Sequence, residues 1–169
     1  MELTRQLNVP QTFESLKRFI GHSHKVTVKY LIDELRCTPS FDELILREQE
    51  LYFQILESER PAPLSGVREM FDAGDTLQLK RALVSSSVAH QVSPTMQIVV
   101  EHLSRSGPWR DQFHAVSTGD RVQRLKPAPD PYLLAMKELE LDPDECVAFE
   151  DSPAGVEAAS AAGCRVVAI

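Results

Sequence analysis

The chain has 169 residues, 43% of them hydrophobic and 25% charged, and a formal net charge of −7. Those values fit a globular chain of one medium domain, or a small domain with an appendage. They weigh against binding to nucleic acid or anionic membrane, which draws on Lys and Arg to neutralise phosphate, and no apolar run approaches the ~20 residues of a membrane span. The amino terminus, Met1-Glu2-Leu3-Thr4-Arg5, lacks the apolar stretch of a signal peptide, so a cytoplasmic chain is expected. Cys37, Cys146 and Cys164 are odd in number and not spaced as zinc ligands. Cys146 and Cys164 fall in apolar, strand-like runs and read as reduced, buried thiols.

The first sixty residues read as helices. Val28, Leu31, Ile32 and Leu35 fall on one apolar face. Ser40-Phe41-Asp42-Glu43 is a capping-box pattern, in which the serine hydroxyl takes a free amide and the glutamate reaches back. Phe41, Leu44, Ile45, Tyr52, Ile55 and Leu56 then keep helical spacing over about four turns. Arg60-Pro61-Ala62-Pro63-Leu64-Ser65-Gly66 interrupts the pattern as a stiff connector.

Beyond the connector, strands alternate with helices. Arg81–Val84 is a short strand, and Ser93-Pro94 is expected to start a helix carrying Met96, Val99, Val100 and Leu103. His114–Val116 is a weaker strand. Asp130-Pro131 starts the next helix, with Asp130 as its cap. Val147–Phe149 is a strand, Ser152-Pro153 opens an alanine-rich helix to Ala162, and Arg165–Ile169 is a closing strand. The alternation predicts an α/β fold with a parallel, Rossmann-like sheet.

Three loops carry the chemistry. In such folds ligands gather beyond the carboxyl ends of the strands. Ser85, Ser86 and Ser87 lie at one such end, where hydroxyls and amides could hold phosphate oxygens; a solvated serine turn is the plainer alternative. Lys126 precedes Pro127-Ala128-Pro129-Asp130, where two prolines pre-set the backbone and present a fixed ammonium to a phosphate or a developing acyl phosphate. Glu150 and Asp151 directly follow a strand. Adjacent carboxylates repel unless a cation lies beside them, and Mg²⁺ takes oxygen ligands of this kind. Capping of the following helix is the alternative for Asp151. His22, His24, Lys25 and Arg47 are weaker candidates for substrate contact, and a zinc site at the two histidines lacks further ligands.

Ser85, Lys126 and the Glu150-Asp151 pair resemble the second, third and fourth motifs of the haloacid dehalogenase superfamily, in its phosphatase and β-phosphoglucomutase-like branch. The Lys-Pro-x-Pro-Asp and Glu-Asp-Ser-x-x-Gly stretches are specific when found together. The resemblance implies that residues 1–60 are part of a helical cap and 65–169 part of the α/β core. It implies Mg²⁺ as cofactor, a small phosphorylated metabolite as substrate, and transfer through an aspartyl phosphate. Lys126 and Ser85 would then be catalytic, Ser85, Ser86 and Lys126 phosphate-binding, and Glu150 and Asp151 metal-binding.

The chain departs from the family at the first motif. The family opens with a central strand ending Asp-x-Asp-Gly-Thr, whose first aspartate attacks phosphorus and whose second acts as acid and base. The only Asp-x-Asp here, Asp142-Pro143-Asp144, precedes the strand at Val147 and so lies at the wrong end of the sheet. The expectation is an incomplete core, inactive alone, with a partner strand or oligomer completing the sheet. A non-catalytic phosphate- or protein-binding remnant is the second reading. Dehalogenase chemistry is a third, which would not need the acidic pair.

Overall fold

The computed structural model describes residues 2–19 and 24–169, with only the backbone of Arg18 and His24. The chain divides into two compact units, Met1–Arg60 and Pro61–Ile169.

Among the described residues the first unit contains four α-helices: α1 (Glu2–Gln6), α2 (Phe13–Leu16), α3 (His24–Asp33) and α4 (Phe41–Glu59). Among the described residues it has no strand. Leu3, Val28, Leu31 and Leu44 form its buried centre, where the i, i+3 spacing of α3 meets the first turn of α4. Ser40 caps α4, its Oγ accepting from the Glu43 amide at 3.3 Å. The reciprocal half of the box is replaced. Glu43 is one helical turn from Arg47 and pairs with it at 2.7 Å. The helix ends at Arg60, whose φ of 39° turns the backbone into the left-handed region.

The second unit carries α5 (Val67–Thr76), β1 (Ala82–Val84), α6 (Ala89–His102), β2 (Ala115–Ser117), α7 (Asp130–Leu139), β3 (Val147–Glu150), α8 (Pro153–Ala161) and β4 (Arg165–Ala168). The strands are short, as expected, and every pairing is parallel. β1 pairs with β2, setting Ala82 against Ala115 and Val84 against Ser117. β3 pairs with β4, setting Val147 against Arg165 and Glu150 against Ala168. The two pairs form separate two-stranded sheets, with no ladder joining β1 to β3, where the resemblance puts a further strand. One core nonetheless spans both. Tyr132 and Met136 of α7 pack with Ala148, Ala158, Ala159 and Ala162, and Val84 and Val166 close the cluster. Alanine at four of these places lets α7 and α8 approach the strands closely.

Two helix starts differ from expectation. α6 begins at Ala89, so Ser93 and Pro94 fall inside it. Its first amide is satisfied from afar: Ala89 N donates to Asp120 Oδ1 at 3.0 Å. A carboxylate supplied 31 residues away replaces the local serine cap, and no local pattern reports it. α7 begins at Asp130 itself, and that carboxylate binds Arg124 at 2.9–3.1 Å instead of capping the helix. α5 follows the connector where no helix was expected, and buries Phe71 and Gly74.

Candidate active site

The serine loop, Lys126 and Glu150 come from segments far apart in sequence. β1 ends at Val84, and the next residue donates its amide to Ser117 O at 2.8 Å, extending the β1–β2 ladder. Ser85 Oγ accepts from Ser87 N at 3.1 Å and folds the loop back on itself. The end of β2 braces this loop from below: Gly119 N donates to Ser87 O at 2.8 Å. A Cβ at Gly119 would stand 2.2 Å from Ser86 O, so only glycine permits this approach. Gly119 therefore supports the serine loop, a role sequence reasoning missed. Its signal was a glycine two residues beyond the end of a β-strand.

Lys126 is buried, 8% exposed. The Lys126–Pro127 peptide is cis. The Lys126 ammonium donates to Val84 O at 3.2 Å, at the end of β1. It also makes a close ion pair with Glu150 Oε1, at the end of β3. It thus ties the open edges of the two sheets at their carboxyl ends. A strand turns alternate peptide groups to opposite sides. Ser85 N faces β2, so the Val84 carbonyl faces away from it, and Lys126 fills an acceptor that no strand partner uses.

Glu150 is 6% exposed. The hydroxyl of Tyr132, in the first turn of α7, donates to the same Oε1 that holds Lys126. The Lys126 ammonium also lies 5.2 Å from the centre of the Tyr132 ring. Burial first, and the hydrogen bond to Glu150 second, raise the Tyr132 phenol well above its ordinary range, so it stays a neutral donor. Gly155 makes room for the carboxylate: a Cβ there would stand 1.8 Å from Glu150 Oε2. Two buried charges with good partners hold each other in place; either one alone would be strongly unfavourable.

Asp151, the next residue, is exposed. The two adjacent carboxylates therefore occupy different surroundings, as strand alternation requires. Glu150 is enclosed by Lys126, Tyr132 and Gly155, while Asp151 presents a hard oxygen donor to solvent at the strand end. Ser152 takes the capping role, its Oγ accepting from Gly155 N at 3.2 Å, which leaves Asp151 uninvolved in the cap. Among the described residues no group of three or more His, Cys, Asp or Glu could hold a metal. A Mg²⁺ ion keeps several waters and binds by one or two carboxylates with substrate phosphate. Asp151 fits that demand and Glu150, as placed, does not.

Arg47 pairs with Glu43 and Lys25 is exposed. His22 and the His24 side chain fall outside the described residues. Asp142 precedes a short 3₁₀ turn at Pro143–Glu145 at the start of β3, and its amide donates to Glu145 Oε2 at 2.9 Å, as a turn residue does. Burial pushes the thiols of Cys37, Cys146 and Cys164 up, so none is an activated nucleophile.

The family model for haloacid dehalogenase-like hydrolases matches residues 2–169. The chain belongs to the haloacid dehalogenase-like hydrolase family. It is similar to the phosphorylated carbohydrates phosphatase of Thermotoga maritima, 31% identical over 157 residues, which are 91% of this chain and 67% of that protein. The structure resembles CbbY from Rhodobacter sphaeroides in complex with xylulose-(1,5)bisphosphate, with a TM-score of 0.81 at 22% identity over 98% of this chain and 74% of that one. It also resembles β-phosphoglucomutase from Clostridium difficile, with a TM-score of 0.73 at 19% identity over 99% and 73%. At those identities the two structures speak for the fold alone. The chain spans about half to two thirds of the length of the curated relatives it matches.

Proposed function

We propose that this chain provides most of a Mg²⁺-dependent phosphoryl-transfer site for a small phosphorylated metabolite, working as a phosphatase or phosphomutase through an aspartyl phosphate. The observation that carries the reading is Lys126: a buried ammonium fixed between Val84 O and Glu150 Oε1 at the strand ends. An ammonium has three donors. Two are engaged with Val84 and Glu150, and the third serves a phosphate oxygen. Ser85, Ser86 and the amides of their loop hold the other phosphate oxygens, and Glu150 keeps the Lys126 ammonium in place. Asp151 would hold the Mg²⁺, which when bound neutralises phosphate charge. With Asp151 assigned to the metal, the nucleophile has no candidate among the described residues gathered at these strand ends. The 169-residue chain alone is therefore expected to bind phosphate but not to turn over an ester.

Calorimetric titration with inorganic phosphate in the presence of Mg²⁺ tests this. Binding should require Mg²⁺, weaken in Asp151→Asn, and vanish in the double variant Lys126→Met/Glu150→Gln, which removes both buried charges and so preserves the fold. Phosphate affinity equal to wild type in the double variant would overturn the reading. So would Mg²⁺-dependent turnover of sugar phosphates by the chain alone, as regards the missing nucleophile.

A further inference from the structure

The Lys126–Glu150 pair has a third member that none of the family motifs quoted above includes. Tyr132 is 7% exposed, and its ring lies in the core with Met136, Ala148 and Ala158. For packing alone, phenylalanine would serve. A hydroxyl in such surroundings is unfavourable unless it is bonded, and this one reaches the single carboxylate oxygen that also holds Lys126. The carboxylate has little freedom to evade the contact. Gly155 leaves the space that its other oxygen occupies, and the Lys126 ammonium is also held by Val84 O.

We propose that Tyr132 is a positioning residue of this site. Its hydroxyl and the Lys126 ammonium share Glu150 Oε1, so the phenol sets where the ammonium stands at the strand ends. The ring contributes packing, and the hydroxyl contributes the placement. The consequence for a bound phosphate rests on the phosphoryl-transfer reading above; the placement of the ammonium does not.

The experiment uses the full ¹⁵N-labelled chain. The Nζ resonance of Lys126, identified by its loss in Lys126→Arg, should stand apart from those of exposed lysines and exchange slowly with water. In Tyr132→Phe it should shift, and its exchange and the dissociation constant for inorganic phosphate should both rise about ten-fold, the worth of one buried hydrogen bond to a charged group. Should that variant fail to fold, 3-fluorotyrosine at position 132 alters the donor without removing it, and the Lys126 resonance should still move. An unmoved resonance in either substitution overturns the proposal, as does a wild-type resonance that coincides with those of exposed lysines. A resonance that moves only in Tyr132→Leu, where the ring is lost, reduces Tyr132 to packing and also overturns it. If the resonance moves as expected but wild type binds no phosphate, the positioning role stands and the phosphoryl-transfer reading fails.

Discussion

At the scale of single residues, the site depends on what is absent from position 155. Glycine inside a helix is ordinarily replaced by alanine with a gain of roughly 0.5–1 kcal/mol, since alanine loses less backbone entropy. Here the sign should reverse. The new methyl would lie on the Glu150 carboxylate, 1.8 Å from Oε2, and that carboxylate is pinned by Lys126 and Tyr132. Either the helix or the ion pair must give way, at the cost of about 1–3 kcal/mol typical of overpacking. Urea unfolding of Gly155→Ala should show that loss. A variant as stable as wild type would mean the carboxylate does not rest against Gly155. The Glu-Asp-Ser-x-x-Gly spacing was visible in sequence, and its glycine suits close packing, but the neighbour it admits, the Glu150 carboxylate, was not. That contact is an approach between a strand end and the next helix, which only coordinates reveal.

At the scale of elements, α5 is held by charges contributed from two other segments. Asp75 accepts from both Arg81 and Arg105. The two guanidinium groups also lie over the Phe71 ring, each 5.1 Å from its centre. Arg81 further donates to Phe71 O at 3.0 Å and to Gln112 O at 3.1 Å, joining α5 to the segment before β2. Hydrogen bonds from Arg105 and then Arg81 hold the Asp75 carboxyl below its usual range. A carboxylate with a depressed folded pKa adds stability that is fully present above the ordinary aspartate value of about 3.9 and is lost as pH falls through the lower folded value. Asp75→Asn should therefore lower the melting temperature at pH 7 and flatten the acid limb below about pH 4, its effect fading as the pH falls further. Thermal melts across that range would show it; parallel acid limbs would count against the clamp. The four strands and the helices α3, α4, α7 and α8 were legible in sequence because apolar periodicity, the Ser40 and Ser152 caps and the proline at the start of α7 specify them. α5 was missed although Val67, Met70, Phe71 and Gly74 keep helical spacing, because Phe71 is covered by arginines from elsewhere in the chain. The start of α6 was misplaced for a similar reason, its cap being Asp120. Lys126, Glu150 and Asp151 stood out through residue type and spacing, whereas Tyr132 looked like any aromatic on a core-facing helix.

At the scale of the molecule, two parallel half-sheets stand side by side with unpaired inner edges. Their hydrogen-bond directions can be assigned residue by residue. Ser85 N donates to Ser117 O, so the peptide groups of Val84 turn away from β2. Glu150 O accepts from Ile169 N, so Glu150 faces β4 and the amides of Val147 and Phe149 face away. The side chains of Val147, Phe149 and Val167 are also exposed, between 43% and 52%, which is unusual in a parallel sheet, whose faces are normally both covered. An open edge beside apolar side chains is a template for a further strand. Hydrogen exchange of the monomer should therefore separate amides within one strand: Ser85 protected, Val84, Val147 and Phe149 exchanging at least about ten-fold faster, since an unpaired strand amide lacks the bond that slows it. Raising the chain concentration should slow Val147 and Phe149 selectively if a second copy pairs with the open edge. Uniform, strong protection of all four in a dilute monomer would mean that β1 and β3 close on each other in solution. Lys126 would then no longer have Val84 O as an unshared acceptor, and the argument that it ties two open edges would fail with it.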